Sequence, residues 1–217
     1  MAAKHISRTA IGPSSASLQH IHETDCNLAI WQRNLQREFE SAVADWPKEI
    51  RLTLEIGQLH QDLSNALFSS DSSASPTRGA LLEDVVHLAE KFARIAKVDR
   101  LNLRLAVVES DSCRKFHADW VTMRLITTYA GIGTQWLDDE DARRVSRGEE
   151  ATNIFTLATG DVGISKGRLA TDRPAIHRSP PIAGTGVRRL LLVLDPADAV
   201  ADESSDDLCS DKSKWHW

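Results

Sequence analysis

The sequence lacks any apolar run approaching the roughly 20 residues that a transmembrane helix needs. Its N-terminus, MAAKHISRTAIGPSSASLQH, also lacks the apolar stretch of about 7–15 residues that marks a secretory signal peptide. We therefore expect neither a membrane-spanning nor a secreted protein, and we predict a cytoplasmic location with no membrane partner.

Cysteine is scarce. Cys26, Cys113 and Cys209 are odd in number and far apart, and the sequence contains no CxxC pair. The pattern argues against a zinc ribbon and against a disulfide framework. It fits a reducing compartment, where disulfides are rare.

An excess of positive charge is also missing. Lysine and arginine number 26 against 31 aspartate and glutamate residues, which gives a formal net charge of -5. A protein that binds nucleic acid neutralises phosphates with a basic surface, so we expect no nucleic-acid partner. The hydrophobic fraction of 41% and the charged fraction of 26% are ordinary for a globular chain.

Two segments have no apolar periodicity and divide the chain. Residues 69–79 are Ser-rich with a proline, and the chain from Asp195 onward is acidic and Ser-rich. We predict an N-terminal helical segment with its linker over residues 1–78, a helix plus a β-rich domain over 79–195, and a disordered acidic tail over 196–217.

The two predicted folded parts differ in their hydrophobic period. Apolar residues at helical spacing predict helices over about 28–45, 50–67 and 81–96. From Arg100 onward the period becomes two, which is typical of half-buried strands. We predict strands over residues 101–107, 115–119, 121–129, 153–157, 161–165, 175–178 and 189–194. Helices followed by many short strands predict an α+β fold with a C-terminal jelly roll flanked by N-terminal helices.

Three residues in this β-rich part have the chemistry of a metal site. His117 and Asp119 lie two residues apart in a predicted strand, so their side chains point to the same face. His177 lies in a late strand and can supply a third ligand. Two histidines and one carboxylate leave about half of an octahedron open, which suits iron(II) that must also bind a co-substrate and oxygen.

The segments around these residues resemble a known superfamily, the iron(II)- and 2-oxoglutarate-dependent dioxygenases with a double-stranded β-helix. The resemblance covers about residues 100–195, in the order HADW, MRLITTYAGIGTQWL, TGDVGISKG, AIHRSPP and GTGVRRLLLVLD. The whole chain also resembles a bacterial family of unknown function that shares these segments. The resemblance implies iron(II) and 2-oxoglutarate as cofactors and the oxidation of an unidentified small-molecule or protein substrate. It leaves the oligomeric state open.

Carried over by position, the resemblance implies that His117, Asp119 and His177 bind the iron. It also implies that Arg188 or Arg189 binds the distal carboxylate of 2-oxoglutarate, because a guanidinium grips a carboxylate through two charge-assisted hydrogen bonds. Neighbouring residues of a strand face opposite sides, so only one of the two arginines can enter the barrel.

Two further residues are candidates for contact with the co-substrate. Tyr129, the single tyrosine of the sequence, ends the strand after HADW, and its hydroxyl could hydrogen-bond the co-substrate. Arg124, earlier in the same strand, can line the cavity if the strand register allows it. The alternative for Tyr129 is a core ring with a solvated hydroxyl.

Cys113 provides the main alternative. It lies four residues before His117, and a thiolate near the site would favour zinc over iron. The chain would then be a zinc-binding jelly roll that handles metal, or a hydrolase in which zinc activates water. Cys113 can equally be a small buried hydrophobic residue. A jelly roll that binds a small ligand without metal is the third reading.

Overall fold

The strands of this protein form two sheets in a computed structural model that describes residues 8–35, 39, 43, 49–68, 76–111 and 113–199. The strands are β1 Arg8–Gly12, β2 Cys26–Trp31, β3 Glu49–Glu55, β4 Arg100–Val108, β5 Met123–Ala130, β6 Gln135–Trp136, β7 Phe155–Thr156, β8 Val162–Lys166, β9 His177–Arg178 and β10 Arg189–Pro196.

The helices lie between the strands. They are α1 Leu59–Phe68, α2 Pro76–Ala96 and α3 Asp139–Ser146, with short 3-10 segments at Ser15–His22, Ile56–Gln58 and Ala197–Ala199. None of the helices in the described part of the chain is long and apolar enough to cross a membrane. The fold is therefore mixed α+β with one large sheet.

The large sheet has seven strands in the order β1-β2-β8-β5-β10-β4-β3. All neighbours in it are antiparallel except β1 and β2, which are parallel. The small sheet has the order β7-β6-β9. Strand β10 lies near the middle of the large sheet and is buried along its whole length. This burial on both faces explains the continuous apolar run LLLVL at residues 190–194.

The two faces of the large sheet bury different side chains, because successive residues of a strand point to opposite sides. On one face, Leu190, Leu192 and Leu194 of β10 belong to the main core, which also holds the apolar side of α2. On the other face, Leu191 and Val193 join a separate apolar cluster with residues of β4. We call the first the helix face and the second the inner face.

The predicted helix over 81–96 is confirmed and begins earlier, at Pro76. The predicted helix over 28–45 is wrong at its start, because residues 26–31 form β2, and most of its remainder lies outside the described residues. The predicted helix over 50–67 is wrong in its first half, which is β3, and correct from Leu59. Strand β2 is buried on both faces, and a strand that is apolar on both sides can match helical spacing.

Most of the predicted late strands are present, with one exception. Residues 115–119 form no strand, and His117 makes only an isolated bridge to His177. Strands β1, β2 and β3 come from residues 1–78 yet belong to the same sheet as the later strands, so the predicted boundary at residue 78 separates no folding unit. Residues 69–75 of the predicted linker and 200–217 of the predicted tail lie outside the described part of the chain.

Candidate metal centre

The two histidines are brought together by backbone hydrogen bonds. The N–H of His117 donates to the carbonyl of His177 at 2.9 Å, and the N–H of His177 donates back to the carbonyl of His117 at 2.9 Å. This pair of bonds holds the two imidazole rings with their centroids 4.7 Å apart. In place of the predicted strand around His117, the structure has one isolated β-bridge between His117 and His177. This bridge places the two imidazole side chains next to each other.

Asp119 completes the group. Its Oδ2 atom lies 3.2 Å from Nε2 of His177, and its Oδ1 atom lies 3.7 Å from Nε2 of His117. One ligand atom from each of the three side chains falls within 4.8 Å of the others. The N–H of Arg168 donates to the carbonyl of Asp119 at 2.8 Å and so fixes the backbone at this position.

The outer nitrogens of both rings are held by carbonyl groups. Nδ1 of His117 lies 2.9 Å from the carbonyl oxygen of Lys115, and Nδ1 of His177 lies 3.4 Å from that of Ala175. A proton on Nδ1 leaves the lone pair of Nε2 free, which is the usual arrangement of histidines that bind a metal. Both Nε2 atoms are then acceptors that face the carboxylate of Asp119.

The charges of the group also fit a metal ion. Burial lowers the pKa of His117 to about 4, so its imidazole is neutral at neutral pH. Burial alone would raise the pKa of Asp119, but the neighbouring positive charge of Arg124 is the largest opposing contribution, and the pKa is held well below its usual range. Within the described part of the chain, Oδ2 of Asp119 is buried and has no hydrogen-bond partner. Acceptor atoms that converge without a donor are stable together when a cation lies between them.

Arg124 lies beside this group and is fully engaged with carboxylates. Its Nη1 atom is 2.7 Å from Oδ1 of Asp119. Its Nε and Nη2 atoms donate to the two oxygens of Asp195 at 2.8 and 2.7 Å. Burial opposes the charge of Arg124, but the two carboxylates raise its pKa above the ordinary value. The structure therefore brings Arg124 to the predicted site as a partner of the aspartates.

Arg189 is the arginine that enters the interior. Its side chain is fully buried, and its Nε atom donates to the carbonyl of Ile132 at 2.5 Å. Its Nη2 atom donates to the hydroxyls of Thr134 and Thr128 at 3.2 and 3.4 Å. Its Nη1 atom is buried and has no hydrogen-bond partner in the part of the chain that the structure describes. Burial lowers the pKa of Arg189 to about 10.

Arg188 faces the other way and is half exposed. Its Nε atom donates to Oε1 of the exposed Glu109 at 2.7 Å, which is a surface ion pair. The sequence left open which of the two arginines enters the barrel. In the structure it is Arg189.

Tyr129 is not part of the site. Its hydroxyl donates to Oδ2 of Asp84 in α2 at 2.6 Å, and its ring packs on Phe39 in the main core. Burial, with the charge of Asp84 as the next contribution, raises its pKa well above the usual value. The predicted contact of Tyr129 with the co-substrate is therefore corrected: the residue is on the helix face.

Cys113 is half-buried, and its carbonyl accepts a hydrogen bond from the N–H of Ser179 at 2.8 Å. Across the described residues, the thiol is not among the ligand atoms that converge at His117, Asp119 and His177.

Sequence reasoning missed Asp195 and Thr134. A charged residue at the end of the apolar run RLLLVLD, with even spacing from Arg189, was the available signal for Asp195.

Comparison with known proteins identifies the family. Residues 12–195 match the family described as "Protein of unknown function (DUF1826)". The chain belongs to this family. The expected membership in an uncharacterised family is thus confirmed. No curated protein matches the chain significantly in sequence.

Solved structures similar to the chain include those of three bacterial proteins. A prolyl-4-hydroxylase of Pseudomonas putida is 8% identical, with a TM-score of 0.44 over 83% of this chain and 96% of that one. A putative oxygenase of Shewanella oneidensis is 10% identical, with a TM-score of 0.46 over 88% and 89%. HygX of Streptomyces hygroscopicus, solved with nickel and 2-oxoglutarate, is 12% identical, with a TM-score of 0.43 over 85% and 87%. Identities this low leave the chemistry of the chain to be inferred from its own residues.

Proposed function

We propose that this protein is an iron(II)- and 2-oxoglutarate-dependent oxygenase with a double-stranded β-helix core. His117, Asp119 and His177 would hold the iron, and Arg189 would bind 2-oxoglutarate. Two imidazoles and one carboxylate with open positions are the ligand set of non-haem iron oxygenases.

The observation that carries the proposal is the state of Arg189. A guanidinium that is buried among neutral partners, with one nitrogen unused, is costly unless an anion binds to it. In residues 76–111 and 113–199 no carboxylate pairs with Arg189, whereas Arg124 on the same face has two. A carboxylate from a ligand would provide the missing charge and accept from Nη1.

Arg189 and the triad are connected through β6. Thr134, which contacts the Arg189 guanidinium, lies two residues before Trp136, and Trp136 pairs with His177 across β6 and β9. This connection supports a co-substrate that binds the metal with one end and the guanidinium with its distal carboxylate.

Each residue then has a defined task. The triad holds the metal, while Arg189, Thr128 and Thr134 orient the co-substrate by its distal carboxylate. The apolar side chains of Leu191 and Val193 lie on the same face of β10 as Arg189, in an apolar cluster that would keep water away from the bound co-substrate. When bound, iron(II) with 2-oxoglutarate and oxygen supplies the oxidising chemistry.

The test is an anaerobic titration of the purified protein with iron(II) and 2-oxoglutarate, followed by visible absorption. We expect a metal-to-ligand band that is absent in His177→Ala. In Arg189→Met we expect the metal to bind normally and 2-oxoglutarate affinity to fall on the order of 100-fold, since two charge-assisted hydrogen bonds are lost. Arg188→Ala is the matched control and should keep wild-type affinity.

Two results would contradict the proposal. One is a protein that binds iron(II) and shows no response to 2-oxoglutarate. The other is tight zinc binding at the triad with no 2-oxoglutarate binding, which would favour a zinc protein in which the metal activates water. The second result would keep the metal site and replace the activity.

A further inference from the structure

The geometry around Arg124 points to a role that goes beyond binding a metal at the triad. Arg124 lies at the start of β5, close to Asp119 and Asp195, and three of its nitrogens contact these two carboxylates. The three side chains expose only 10–19% of their surface. A buried guanidinium shared by two carboxylates holds all three side chains in one arrangement.

This arrangement makes the two oxygens of Asp119 different. Oδ1 forms an ion pair with Arg124, whose Nη1 atom lies 2.7 Å away. Oδ2 has no hydrogen-bond partner among the residues that the structure describes and lies 3.2 Å from Nε2 of His177. A metal between the three side chains therefore meets one available oxygen.

We propose that Arg124 is a positioning residue that makes Asp119 a one-oxygen ligand of the metal through Oδ2. This inference rests on the metal site proposed above. Asp195 locks Arg124 in place through a bidentate pair. Because both oxygens of Asp195 are occupied by that pair, Asp195 does not become a fourth protein ligand. The arrangement keeps coordination positions open for other ligands.

An arginine is required for this task. Its planar fork donates to both oxygens of Asp195 and at the same time places Nη1 in an ion pair with Oδ1 of Asp119. A lysine ammonium carries the same charge as a single point and cannot reproduce this fork. Replacing Arg124 by lysine therefore changes the geometry at constant charge.

The chain offers a matched control. Arg33 donates through Nη1 and Nη2 to the two oxygens of Asp84 at 2.6 and 2.9 Å, and the two side chains are 9% and 21% exposed. It is thus a buried bidentate pair like that of Arg124 and Asp195. Asp84 belongs to α2, on the helix face and away from the triad.

The experiment measures the affinity of manganese(II) alone by calorimetry, together with thermal unfolding, for wild type, Arg124→Lys and Arg33→Lys. We expect Arg124→Lys to bind manganese(II) 10- to 100-fold more weakly, which is the usual effect of losing a partner of a metal ligand. We expect Arg33→Lys to lower the unfolding temperature to a similar degree and to leave manganese(II) affinity unchanged.

Each outcome has one meaning. Equal manganese(II) affinity in wild type and Arg124→Lys overturns the inference and leaves the metal site intact. An equal loss in Arg33→Lys also overturns it, because the effect would then follow stability. A wild-type protein that binds no divalent metal removes the proposed function itself. If Arg124→Lys does not fold, Asp195→Asn decides: weaker binding supports the role of Arg124, and unchanged binding refutes it.

Discussion

Both faces of the large sheet bury arginines, but the hydrogen-bond partners of these arginines differ between the two faces. On the helix face, Arg33 donates to both oxygens of Asp84 and to the carbonyl of Gly160, and Tyr129 also donates to Asp84. On the inner face, Nη1 of Arg189 and Oδ2 of Asp119 have no hydrogen-bond partner among the described residues. The helix face also has an unpaired buried atom, Oγ1 of Thr127, but that atom belongs to a neutral hydroxyl.

The difference fits the proposal that one set of polar groups holds the fold together and the other binds ligands. A buried ion pair with complete hydrogen bonding needs nothing more, whereas an unpaired buried charge is retained where something else provides its partner. Among the described residues, the unpaired charged atoms are a guanidinium nitrogen and a carboxylate oxygen, both on the inner face. The proposed 2-oxoglutarate and metal would provide the partners of these two atoms.

The largest loss of stability is expected on the helix face. Arg33→Met leaves the carboxylate of Asp84 buried without its cation, and breaking such a pair costs about 3 kcal/mol of unfolding free energy. Denaturant unfolding measures the loss. Asp84→Asn is the companion variant, and the double variant should lose less than the sum of the two, because the residues interact directly. Strict additivity would mean that the pair contributes nothing.

Replacing Arg189, on the inner face, should lower the unfolding free energy much less than replacing Arg33. Arg189→Met removes a buried cation that has no carboxylate, so we expect the unfolding free energy to stay within about 1 kcal/mol of wild type or to rise. The same denaturant unfolding measures it. A loss as large as that of Arg33→Met would show that Arg189 is a structural residue. The proposed contrast between the two faces would then fail.

Much of this site could be predicted from local sequence. The period-two pattern from Arg100, the spacing of His117 and Asp119, and the position of His177 before the arginines all survive in the structure. These features depend on neighbours along the chain, which a sequence shows directly. The predicted strand around His117 is absent, but the three side chains of the triad still lie together because a β-bridge links His117 to His177.

The remainder depended on long-range pairing. Strand β2 was predicted as helix because a strand buried among other strands loses its alternation. Strand β3 is an edge strand that keeps its alternation in EIRLTLE, so its prediction as helix overlooked a local signal. Which residues of β5 face inward follows from its pairing with β10 and β8, so the sequence could not say which of Arg124 and Tyr129 lies on the face of the site. For the same reason Asp195 was not expected beside Asp119.

The smallest expected effect tests that assignment of faces most directly. Arg188→Ala breaks only an exposed pair with Glu109, so its unfolding free energy should change by less than about 0.5 kcal/mol, as denaturant unfolding would show. A shift of one residue in the register of β10 would exchange Arg188 and Arg189 between the faces. Weaker 2-oxoglutarate binding in Arg188→Ala than in Arg189→Met would therefore mean that the strand pairs in the other register. Arg188 would then be the arginine on the inner face, and Arg189 would lie on the helix face.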